Sequence, residues 1–108
     1  MTCHLEELMK VTPREIFPGF QGRFIHSSNM TFAYWEAKKD SLVPVHSHVH
    51  EQVVNMLEGS MELIVSGEKH VLKPGSVLVI PSNAVHSGKT YSDCKILDVF
   101  FPIREDYR

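Results

Sequence analysis

The sequence predicts an all-β fold of the jelly-roll, sandwich or barrel type, and three observations carry that reading. The apolar stretches are short, and several alternate with polar residues, the period of a half-buried strand. Six prolines and six glycines interrupt them, too many for long helices. Gly59, Gly67 and Gly75 recur at intervals of eight residues, the beat of short antiparallel strands joined by turns.

Taken in order, residues 5–10 are the one stretch that reads as the start of a helix, and a segment so short does not sustain a helix alone. Strands are expected at residues 24–25, 31–37, 43–48, 52–57, 60–65, 70–72, 77–80 and 95–101. Pro18-Gly19 and Pro74-Gly75 are turn dipeptides. Glu58-Gly59-Ser60 and Ser66-Gly67-Glu68 sit between apolar stretches as hairpin turns. Met61, Leu63 and Val65 alternate, with Ile64 breaking the pattern. The run from Val53 to Leu57 is apolar on both faces, so both faces need cover. With no linker, repeat or low-complexity segment, the expectation is one domain over residues 1–108.

Composition narrows the function. A 108-residue chain buries about two-thirds of its unfolded surface on folding, so it builds a core without staples. A net charge of −2 leaves no basic footprint for nucleic acid. No apolar run approaches the length of a membrane span. Cys3 and Cys94 are far apart and form no framework, which points to a reducing compartment. Glu6 and Glu7 stand where a secretory signal carries base, so the cytoplasm is the expected location.

The seven histidines are unevenly spread. Along Pro44-Val45-His46-Ser47-His48-Val49-His50-Glu51-Gln52, strand alternation puts His46 and His48 on one face. Two imidazoles at this spacing are good metal ligands, and solvated edge histidines are the plainer alternative. If the strand stays regular, His50 and Gln52 share that face and Glu51 points away. A β-bulge would make Glu51 the ligand instead. His50 either reaches the ion or stands behind it, toward a substrate. Further on, Gly75, Pro81, Asn83 and His86 supply a third histidine just after a proline-bounded turn.

Together these segments resemble the two signature motifs of the cupin family: His-x-His, then a ligand, then Gly59; and Gly75, Pro81, His86. The resemblance covers residues 40–104 and implies a single-domain cupin, a double-stranded β-helix or jelly-roll barrel. It implies a divalent metal held by His46, His48, Gln52 and His86. Asp40, Asn83 and Thr90 depart from the motif, which has glycine, glycine and asparagine there. Asn is the residue after glycine best able to take positive φ, so Asn83 suits its turn. Gln52 replaces the usual glutamate, so the protein adds no formal charge to the ion. That argues against Mg²⁺ or Ca²⁺. Three imidazoles and one oxygen suit Ni²⁺, Zn²⁺, Fe²⁺, Mn²⁺ or Cu²⁺.

Near the C-terminus, Ile96, Asp98 and Phe100 share one strand face, and Leu97, Val99 and Phe101 the other. An acid within Ile-Leu-Asp-Val-Phe-Phe needs a partner or a task. It is either a structural ion pair with Arg23 or Arg104, or a general acid/base lining the cavity. Arg104 is either a surface residue of the tail or a fork for a ligand carboxylate. Phe100 is core or the floor of the pocket. The joint pattern of His46-x-His48, Glu51-Gln52, His86-Ser87-Gly88 and Asp98-x-Phe100-x-Pro102-x-Arg104-Glu105-Asp106-Tyr107 is similar to the KdgF group of pectin degradation proteins among the small cupins. That resemblance implies Gln52 as a regular metal ligand and Asp98, Phe100 and Arg104 as the residues that serve the reaction. The implied reaction turns a cyclic 4,5-unsaturated uronate into its linear keto form, with a small sugar acid as the partner and, as in many small cupins, a homodimer as the assembly.

Three other classes compete, the plainest being a purely structural barrel with vestigial histidines, which absence of metal after purification would favour. A metal-dependent dioxygenase is distinguished by oxygen uptake, and a non-catalytic binder of sugars or small acids by binding without turnover. The remaining histidines read plainly: His4 in a frayed terminus, His70 solvated, and His26 in core or pocket beside Phe24. Tyr34 and Trp35 read as core or dimer interface.

Overall fold

The computed structural model describes residues 2–108; Met1, the first residue of the expected domain, lies outside them. Among the described residues, ten strands form two antiparallel sheets. They are β1 (Arg14–Phe17), β2 (Phe20–His26), β3 (Thr31–Ala37), β4 (Leu42–His46) and β5 (Glu51–Glu58), then β6 (Met61–Val65), β7 (Glu68–Leu72), β8 (Val77–Ile80), β9 (His86–Thr90) and β10 (Cys94–Phe101). One sheet runs β1-β2-β3-β10-β5-β8 and the other β4-β9-β6-β7. This is the jelly roll expected from the sequence, and its core lies between the two inner faces.

Most expected strands form within a few residues of their predicted bounds, and three differences matter. The start of a helix at residues 5–10 is only a 3-10 turn at Leu8–Lys10. The strand expected to reach residue 48 ends at His46, so His48 and His50 sit in a loop. Sequence alternation gave no sign of β1 or β9. The inward residues of β9 are His86, Gly88 and Thr90, all buried. Hydrophobicity does not mark such a strand; pairing to β4 on one side and β6 on the other makes it one.

The turns follow local chemistry. Gly59 has φ +82°, and a Cβ there would strike the Asp93 carbonyl. Gly59→Ala is therefore expected to destabilise the fold by more than the roughly 1–2 kcal/mol of left-handed strain alone. A fall in the urea midpoint at unchanged slope is the measurement. Asn83 takes φ 66° and Asp40 φ 63°, so both stand in for the motif glycines in the left-handed region.

Trp35 centres the aromatic core. It stacks on Phe17 at 6.5 Å and meets Phe20 and Phe24 edge-on at 5.9 and 5.4 Å. The outer face of the larger sheet is also apolar. Ile25, Phe32, Val99, Val53 and Val79 are register partners in one row across five strands. Among the described residues, no helix is long and apolar enough to cross a membrane.

Candidate functional site

Three histidines come together where the two sheets meet. His46 ends β4, His86 opens β9, and the two are register partners. His48 lies in the loop after β4, and Gln52 points inward from β5, buried. The ring centroids are 4.1 Å apart for His46 and His86, 5.0 Å for His48 and His86, and 5.5 Å for His46 and His48. One nitrogen from each lies within 4.8 Å of the others. Gln52 Oε1 is 3.1 Å from His48 Nε2. The loop is held by the second motif: the Asn83 amide N–H donates to the His48 carbonyl at 2.8 Å. The left-handed turn at Asn83 thus ties the two halves of the site together.

The hydrogen bonds fix the tautomers. His46 Nδ1 is 2.7 Å from the Pro44 carbonyl, His48 Nδ1 2.9 Å from the His50 carbonyl, and His86 Nδ1 2.9 Å from the Ala84 carbonyl. A carbonyl only accepts, so each Nδ1 carries its hydrogen and each Nε2 keeps a lone pair. His86 Nε2 is buried with no hydrogen-bond partner. His48 Nε2 faces only the Gln52 amide oxygen, so two acceptors oppose each other. Burial, helped by the charge of Arg104, lowers the His48 pKa to about 4. Burial lowers His86 as well. Neutral imidazoles held by backbone carbonyls behind them are the ligand form that transition metals take. The donor set therefore fits a divalent transition ion, and bare converging lone pairs are the feature that a cation would satisfy.

Glu51 and His50 stand apart from that set. Glu51 is exposed at the start of β5, on the face opposite Gln52. The structure takes His50 out of strand alternation: its Nε2–H donates to the Ile103 carbonyl at 3.2 Å, and its buried Nδ1 has no partner.

Asp98, Phe100 and Arg104 converge on the same cavity. It is lined also by His46, Gln52 and His86. Asp98 Oδ2 accepts from the indole N–H of Trp35 at 3.0 Å, while Oδ1 is buried without a partner. Burial raises the Asp98 pKa to about 7; the Gln52 amide, the indole and the charge of Arg104 oppose it. The ion pair considered for Asp98 does not form. Arg23 Nε donates to the Val11 carbonyl at 3.2 Å. Arg104 donates through Nε and Nη2 to Asp106 at 2.9 and 2.6 Å.

Arg104 is not a surface residue of the tail. It is 7% exposed, and its guanidinium lies over Tyr107 at 4.1 Å and over Phe100 at 4.8 Å. Asp106 takes the side of the fork formed by Nε and Nη2, and Nη1 stays free of it. The tail itself is pinned: the Arg104 amide N–H donates to Thr31 Oγ1 at 2.9 Å, and His26 Nε2–H donates to the Tyr107 carbonyl at 3.2 Å. His26 is thus a clamp on the tail, while His4 is exposed.

Sequence reading missed three contributors. Asp106 and Tyr107 shape Arg104, and a 3-10 turn at Glu105–Tyr107 brings them to it, which no periodicity reveals. Trp35 was legible in principle. An inward acid on β10 needs an inward donor on a neighbouring strand, and the inward residues of β3 are Thr31, Ala33, Trp35 and Ala37.

Comparison with known proteins agrees with this architecture. The sequence matches the cupin domain family over residues 33–100. It is 31% identical over 71 residues to the pectin degradation protein KdgF of Dickeya dadantii (strain 3937), covering 64% of each chain. It is 31% identical over 61 residues to an L-ectoine synthase of Hahella chejuensis (strain KCTC 2396), covering 55% of this chain and 46% of that one. The matched stretches thus span less than two-thirds of these relatives. Among solved structures, KdgF from Halomonas sp. superposes with a TM-score of 0.91 at 24% identity, covering 99% of this chain and 100% of that one. An RmlC-like cupin from Shewanella frigidimarina gives 0.91 at 23% identity, covering 99% and 97%. With the family matched from β3 to β10, this chain belongs to the cupin domain family.

Proposed function

We propose that this cupin holds a divalent transition metal through His46, His48, His86 and Gln52 and linearises 4,5-unsaturated uronates. The observation that carries the reading is the set of three imidazoles whose Nδ1–H groups are all tied to backbone carbonyls, with one nitrogen of each within 4.8 Å of the others and with His46 and His86 lining the cavity that Asp98 and Arg104 also line. The similarity to KdgF supports the choice of substrate class.

When bound, the metal would supply Lewis acidity toward a substrate oxygen. The chain's own residues do the rest. Arg104 offers the free part of its fork to the uronate carboxylate. Phe100 sits beneath the guanidinium and keeps its side of the cavity apolar. Ring opening breaks the bond between C1 and the ring oxygen as the C1 hydroxyl loses its proton. The freed enol becomes a ketone as C4 gains a proton. The reaction is an isomerisation with one proton removed and one delivered, and Asp98, near pKa 7, is suited to carry it.

The test uses unsaturated monouronate made by lyase digestion of pectate. Catalysed loss of its ultraviolet absorbance, with the linear keto acid as product, is the expected result. Loss no faster than the spontaneous rate would refute the proposal.

The apolar row across the outer face of the larger sheet supports the expected self-pairing. Val77, Val79 and Phe101 are exposed there at 61%, 55% and 56%. Sedimentation is expected to give a dimer in the wild type and a monomer in Val79→Lys. A wild-type monomer at high concentration would end that reading.

A further inference from the structure

We propose that Trp35 is a positioning residue for Asp98, and that its indole N–H selects which carboxyl oxygen handles the proton. The inference deepens the proposed function and rests on it for the identity of the substrate. Trp35 Nε1 donates to Asp98 Oδ2 at 3.0 Å, and Oδ1 has no hydrogen-bond partner. An indole N–H only donates. Oδ2 is therefore held as an acceptor, which leaves Oδ1 as the oxygen that can exchange a proton.

The indole cannot follow a rotating carboxyl. Phe17, Phe20, Phe24 and Tyr107 enclose it with ring centroids at 5.4 to 6.5 Å. Its inward neighbours on β3 are Ala33 and Ala37, small residues that leave room for the bicycle. Ala33 is also the register partner of Asp98, so no bulky side chain braces the carboxyl from across β3. The terminal torsion of an aspartate is broad and roughly two-fold. The indole hydrogen bond holds one orientation, and the Gln52 amide is the other polar group that faces the carboxyl.

The experiment has two arms. In the first, kcat and KM on unsaturated monouronate are measured for wild type and Trp35→Phe, and for both in the Asp98→Asn background. A companion variant carries benzothienylalanine at position 35, which keeps the bicycle and replaces N–H with sulfur, in case Trp35→Phe does not fold. The expected result is a loss of about tenfold or more in kcat, with KM and metal content within about twofold and no further loss in the Asp98→Asn background. Unchanged kcat, or the same loss in both backgrounds, would overturn the proposal. The second arm needs no substrate. This chain has one tryptophan, so its indole N–H gives one nuclear magnetic resonance signal. That signal is expected upfield of its wild-type position in Asp98→Leu, which has no acceptor, and an unmoved signal would overturn the hydrogen bond. Wild type inert toward the uronate, with the indole signal moving as expected, would refute the substrate and leave the positioning of Asp98 standing.

Discussion

Asp98→Asn is expected to lower turnover by about 10²–10⁴-fold, the range of a lost general acid/base, while fold, metal content and KM stay close to wild type. Asparagine keeps the shape of the side chain and an oxygen for the Trp35 N–H. It cannot exchange a proton at the bare position where Oδ1 stands. Comparison of kcat and metal content in the two proteins checks this, and full activity in the variant would remove Asp98 from the reaction. The substitution has a second consequence, readable in metal-free protein. Burial raises the Asp98 pKa from 3.8 to about 7. Between those values the folded chain binds more protons at this residue than the unfolded chain, so stability falls as pH rises from about 4 to about 7. Asp98→Asn removes that fall. The variant is expected to be more stable than wild type at pH 8 and closer to it at pH 4, measured by urea unfolding.

Arg104→Lys is expected to raise KM for the uronate by about 10–100-fold, with a smaller change in kcat. A fork that holds a carboxylate through two parallel bonds is worth more than a point charge, and the lost hydrogen bond to a charged group is worth about 1.5–3 kcal/mol. The guanidinium plane also lies over Tyr107 and Phe100, which an ammonium does not reproduce. Steady-state kinetics on the same substrate give the split between KM and kcat. An effect on kcat alone would move Arg104 from binding to the chemical step.

Much of this arrangement was legible in the sequence, for identifiable reasons. Strands such as β3, β5 and β10 bury every second residue over most of their length and leave their pattern in the apolar positions. The spacing of His46, His48, Gln52 and His86 carried the cupin resemblance, and these side chains do meet in space. Strand alternation was expected to set His48 beside His46, whereas His48 is delivered by a loop that the Asn83 amide holds in place. A long-range bond of that kind leaves no mark on local periodicity. β9 escaped notice because its buried positions are His, Gly and Thr. The partners of Asp98 and Arg104 were beyond reach for the same reason. Charge counting favours an Asp–Arg pair, but the tail turns at Glu105–Tyr107 and gives Arg104 to Asp106, leaving the indole to Asp98.

The metal centre is the claim on which the other readings depend, and plasma mass spectrometry of the untagged protein tests it most directly, with wild type beside His48→Ala and Gln52→Ala. Near-stoichiometric transition metal in wild type, lost in His48→Ala and weakened in Gln52→Ala, is the predicted result. Wild type that carries no metal and fails to take up Ni²⁺, Zn²⁺, Fe²⁺ or Mn²⁺ would contradict it, leaving three oriented imidazoles with no ion to hold.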